Sequence, residues 1–94
     1  MSKKGRKSVA SGILNDLEGE SMEEGCYLVF YDFKEKTSLY FYKNLEVIQG
    51  ELKDGSRIQK SVVQCRMLKT ARAIERLCGH YGAQALLFRA ERLY

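Results

Sequence analysis

Ninety-four residues, 45% hydrophobic and 30% charged, allow one globular domain with one small core and exclude a second domain. Sixteen Lys and Arg against twelve Asp and Glu leave a net charge of +4, which favours anionic partners, nucleic acid before a membrane surface. No apolar run approaches the ~20 residues that cross a bilayer, and no apolar stretch follows the basic N-terminus. Neither a membrane span nor a signal peptide is therefore expected, and a cytoplasmic location is. Cys26, Cys65 and Cys78 form no CxxC pair and no zinc-type cluster with the single His80, so reduced thiols that fill space like small hydrophobes are expected.

Residues 1–24 read as a flexible charged tail. "MSKKGRK" carries Lys3, Lys4, Arg6 and Lys7, and "NDLEGESMEEG" carries Asp16, Glu18, Glu20, Glu23 and Glu24. Between them Val9, Ile13, Leu14 and Leu17 lie near helical spacing, enough for one short helix but too few for a core. The basic cluster is either a solvated terminus or an arm that touches phosphate backbones.

A regular pattern starts at residue 25. "CYLVFYDF" is a β-branched and aromatic run that predicts a central strand. Phe41, Leu45, Ile48 and Leu52 then recur at helical spacing, with Thr37 or Ser38 as the cap and Gly55 beyond the end. A strand at "SLYFY" competes with the start of that helix. "SRIQKSVVQC" predicts one bent strand or two short ones. "MLKTARAIERLCGHYG" places Leu68, Ala71, Ile74, Leu77 and Cys78 on one helix face and Lys69, Arg72, Glu75 and Arg76 on the other. "AQALLFRAERLY" predicts a closing strand. Strands alternating with helices imply crossovers and a mainly parallel or mixed sheet. In so short a chain the economical solution is a ferredoxin-like βαββαβ domain over residues 25–94, of the α+β class, with both helices on one face of the sheet and the other face open.

Tyr31-Asp32 at the end of the first strand, followed by a helix and then by "RIQKSVVQC", resembles the CRISPR-associated Cas two family, whose members are small antiviral-defence proteins. The resemblance spans residues 26–94. It implies a ferredoxin-like homodimer that acts on RNA or duplex DNA as a metal-dependent endonuclease, or that scaffolds spacer acquisition beside an integrase partner protein. It also implies that Asp32 is the catalytic and metal-linked residue, with Mg²⁺ as the cofactor and Tyr31 beside it. Arg57, Gln59 and Ser61 would support the site or the nucleic-acid surface.

Read on its own, Asp32 is either a strand-end acceptor for backbone N–H groups of the next turn or one oxygen ligand of a divalent ion. Glu35 is the nearest following acid, so chemistry at Asp32 calls for a dimer. Residues 26–94 carry an excess of five positive charges. Arg57, Lys60, Arg66, Lys69, Arg72 and Arg76 are the candidate nucleic-acid-binding residues, against the alternative that they are a solvated face. His80 fits a helix-end or surface role. Two other readings stand beside the first: a non-catalytic protein-interaction module using the open sheet face, and a toxin-type ribonuclease of the virulence-associated family.

Overall fold

The computed structural model describes residues 8–91 and residue 93; Lys3, Lys4, Arg6, Lys7 and Arg92 lie outside the described residues. The elements are α1 (Val9–Asp16), β1 (Glu24–Phe33), α2 (Leu39–Leu52), β2 (Ser56–Gln59), β3 (Val62–Met67), α3 (Leu68–His80) and β4 (Ala83–Ala90). The four strands form one sheet in the order β2-β3-β1-β4. With two crossover helices over one side, this is the ferredoxin-like arrangement, to which α1 adds a third helix.

β1 is the central strand because both its edges are paired and its alternate side chains suit two different faces. Tyr27, Val29 and Tyr31 point into the core, while Leu28, Phe30 and Asp32 point away. It pairs with β3 (Leu28 opposite Gln64, Phe30 opposite Val62) and with β4 (Leu28 opposite Phe88, Phe30 opposite Leu86, Asp32 opposite Gln84). All hydrogen-bonded neighbours are antiparallel, which corrects the expectation of a mainly parallel or mixed sheet. The reason lies in the crossovers. β3 separates β1 from β2, and β1 separates β3 from β4, so the strands that run parallel never touch.

The competition over "SLYFY" resolves in favour of the helix. Ser38 caps α2 by accepting a hydrogen bond from the Tyr40 N–H at 3.0 Å, and Phe41, Leu45 and Ile48 bury the predicted face. α2 ends at Lys53 in the left-handed conformation, and Gly55 (φ 99°) completes the turn into β2. "SRIQKSVVQC" is a hairpin, with a register shift in the short edge strand β2. α3 buries Ala71, Ala73, Ile74, Leu77 and Cys78 against the sheet. Cys65 and Cys78 are buried and Cys26 is partly exposed, all as free thiols. Burial pushes the Cys65 and Cys78 thiols up to about 12, so they stay protonated and act as small hydrophobes.

The segment expected as a charged tail contains α1, and α1 belongs to the core. Ala10, Ile13 and Leu17 are buried against α2 and α3. Ser8 caps the helix through the Ser11 N–H at 3.0 Å. Asn44 then fixes its position: Oδ1 accepts from the Ala10 N–H at 2.8 Å, while Nδ2 donates to the Tyr40 carbonyl at 2.7 Å and the Tyr81 hydroxyl at 3.2 Å. Three apolar residues are too few to make a core, but they suffice to join one. Burying each of the two larger ones contributes roughly 1.5–3 kcal/mol before ordering costs.

Candidate functional site

Three helices cover one face of the sheet and none of them covers the other. On that open face the outward side chains of β1, β3 and β4 make an apolar row. Phe30 is 40% exposed, Leu86 61% and Phe88 49%, with Leu28 and Val62 partly exposed beside them. Phe30 and Phe88 meet edge to face with ring centroids 5.6 Å apart. Ile58, on the edge strand β2, is 48% exposed. Isolated exposed apolar residues are ordinary, but these lie side by side on one sheet face.

Asp32 stands at the end of that row. It is exposed, and a shallow depression runs beside it along Phe30, Gln84 and Leu86. Among the described residues its carboxylate accepts no hydrogen bond and joins no ion pair. The turn-acceptor reading therefore does not describe it. Tyr31, its neighbour in sequence, points to the opposite side of the sheet. Its hydroxyl donates to the Lys60 carbonyl at 3.2 Å, and burial pushes its acidity down against the opposing pull of the Arg57 guanidinium. Ser61 supports the same end of β1 from the backbone, its carbonyl accepting from the Tyr31 N–H at 3.0 Å. Gln59 is exposed in β2. Arg57 also lies on the helix side, its guanidinium 5.1 Å from the Tyr42 ring centre. Of the residues expected around Asp32, the structure thus brings Tyr31 and Ser61 to the same end of the sheet, with Gln59 opposite Val62 in the adjoining hairpin, but turns the Tyr31 and Arg57 side chains away from the carboxylate.

No family model matches the chain, and neither a curated protein nor a solved structure matches it. The reading of the site rests on the geometry. Magnesium takes oxygen ligands, often only one or two carboxylates with water and phosphate oxygens filling the shell. One copy offers Asp32 alone: among the described residues no three His, Cys, Asp or Glu side chains gather as a metal-binding group. The donor type fits a divalent ion; the number fits only with a second copy's Asp32 or a phosphate.

The six candidate cations divide between surfaces. Arg57 and Lys60 belong to the hairpin end. Arg66 lies at the far end of β3, its Nε 3.7 Å from Asp54. Lys69, Arg72 and Arg76 follow one another along α3 on the helix side of the sheet, away from Asp32. Arg72 is 4.0 Å from Glu20 and 3.7 Å from Glu75, and Arg76 is 3.9 Å from Asp16. Arg89, on β4, is 2.8 Å from Glu23. His80 is exposed in the last turn of α3 with its ring edge on Tyr81, the helix-end position expected of it.

The sequence reading passed over Asp54. Its buried carboxylate accepts from the N–H groups of Gly55 (2.9 Å), Arg66 (2.8 Å) and Met67 (2.8 Å), and so serves the start of α3, which has no side-chain cap of its own. Burial acts to raise its pKa, but these N–H donors outweigh it and hold the carboxyl below its usual range. In "KDGS" the only local signal is an Asp-Gly turn; the groups it serves lie 12 and 13 residues on.

Proposed function

We propose that this protein is a nucleic-acid-binding homodimer, a scaffold of the kind found in the Cas two family, joined through the open face of its sheet. The observation that carries the reading is the apolar row of Leu28, Phe30, Val62, Leu86 and Phe88, which nothing among the described residues covers. A second copy suits it because a two-fold interface pairs the same patch with itself, and this patch is apolar along its length. Two copies double the charge of +4 on the assembly, which supports a polyanionic ligand.

A second reading is a metal-dependent endonuclease, favoured by the unpartnered Asp32 carboxylate at the end of the same face. Asp32 of each copy would hold a magnesium ion together with phosphate oxygens of the nucleic acid. Such an ion supplies Lewis-acid polarisation of a phosphoryl oxygen and an activated water. An integrase partner protein fits either reading.

A salt titration of duplex binding, followed by cleavage assays on RNA and DNA with magnesium for wild type and Asp32→Asn, separates these readings. The scaffold reading expects binding that weakens steeply with salt and is retained in Asp32→Asn. Cleavage by wild type that Asp32→Asn abolishes selects the endonuclease. Binding that is absent or insensitive to salt contradicts the nucleic-acid reading and leaves a protein-interaction module.

A further inference from the structure

The acids of residues 16–23 are placed with a pattern. Three of the five ion pairs among the described residues join this segment to a cation of α3 or β4: Asp16 to Arg76, Glu20 to Arg72 and Glu23 to Arg89. Arg72 and Arg89 also line one depression at the β4 side of α3, with Tyr27 and Leu87 at its floor. The segment crosses that surface because α1 is anchored before it, by Ala10, Ile13 and Leu17, and β1 begins after it. Between those anchors residues 18–23 have turn or irregular backbone, exposed except for the half-buried Glu20.

We infer that Arg72, Arg76 and Arg89 form a phosphate-backbone contact surface that the chain's own acidic side chains occupy in the free protein, so that nucleic acid binds there by displacing the carboxylates of Asp16, Glu20 and Glu23. The inference rests on the nucleic-acid reading above and adds its regulation. The carboxylates of Asp16, Glu20 and Glu23 take up guanidinium contacts of the kind that phosphates would make. The cover is displaceable because its side chains are substantially exposed, the Arg72 and Arg76 contacts are long at 4.0 and 3.9 Å, and such pairs are weak and screened by salt. The Arg89–Glu23 pair is the tightest, since Glu23 also accepts the Tyr27 hydroxyl at 2.9 Å.

The test compares three full-length proteins: wild type, Asp16→Asn/Glu20→Gln/Glu23→Gln, and a charge-matched control, Glu35→Gln/Glu46→Gln/Glu51→Gln. The control acids make no ion pair among the described residues. Duplex DNA binding is followed by fluorescence anisotropy from low to moderate salt. Uncovering Arg76 and Arg89, with Arg72 left only its Glu75 contact, steepens the slope of log K against log salt by about 2, since each added phosphate contact contributes about 0.9. The control gains affinity without that change of slope. Hydrogen exchange at residues 18–23 of wild type rises when the duplex is added. Equal slopes in the two variants, or exchange that falls on binding, overturns the cover while leaving the nucleic-acid reading intact. If none of the three proteins binds the duplex, both fall together. Unchanged circular dichroism establishes that each variant is folded, as the intact α1 anchor leads one to expect.

Discussion

Asp54 and Asp32 are both carboxylates at the margins of regular elements, and the structure gives them opposite surroundings. Asp54 is buried with its oxygens committed to three backbone N–H groups. Asp54→Ala leaves those donors unpaired and is expected to cost about 2–4 kcal/mol in denaturant unfolding. Because the folded carboxyl is held below its ordinary value of 3.8, its contribution is present above that pH and is lost as pH falls below about 4. Acid unfolding of Asp54→Asn is therefore expected to show a shallower loss of stability below pH 4 than wild type. Asp32 is exposed and unpartnered, so Asp32→Asn is expected to change stability by less than about 0.5 kcal/mol. A large destabilisation would show that its carboxylate is engaged in the folded protein.

At the level of elements, α1 carries a clear expectation. Leu17→Ala removes a large side chain from the interface of α1 with α2 and α3, and is expected to cost about 2–4 kcal/mol. Asn44→Ala removes the acceptor for the Ala10 N–H and is expected to raise proteolysis of residues 8–17 well above that of the sheet. A wild-type rate of proteolysis in Asn44→Ala would contradict the anchoring role. The six elements from β1 to β4 were legible because each carries its own period: alternation in "YLVFYDF", and spacings of three and four residues from Phe41 to Ile48 and from Leu68 to Cys78. The docking of α1 was not, since a short apolar spacing does not say what it will meet. The antiparallel pairing followed from which strands become neighbours, a property of the whole chain. In the site, Asp32 was legible as a polar residue closing an apolar strand. The inward turn of Tyr31 follows from strand alternation and was readable. The pairing of Arg72 and Arg76 with Glu20 and Asp16 joins residues more than fifty positions apart, and no local pattern announces it.

Taken whole, the molecule has a covered face and an uncovered one. Helices shield one side of the sheet, and the acidic segment lies over part of the basic surface on that side. The other side presents Phe30, Leu86 and Phe88 to solvent with Asp32 at the end of the row. No described helix is long and apolar enough to cross a membrane, so a bilayer-spanning helix does not account for this apolar face. A second copy of the chain is the occupant proposed above, since a two-fold interface pairs this row with itself. Sedimentation equilibrium of wild type beside Phe88→Glu tests that claim most directly. Phe88 is half exposed, so the substitution leaves the core intact while placing a charge within the proposed interface. The account predicts a wild-type dimer at micromolar concentration and a folded Phe88→Glu monomer. A wild type that stays monomeric at those concentrations, or a Phe88→Glu protein that remains a dimer, would contradict it.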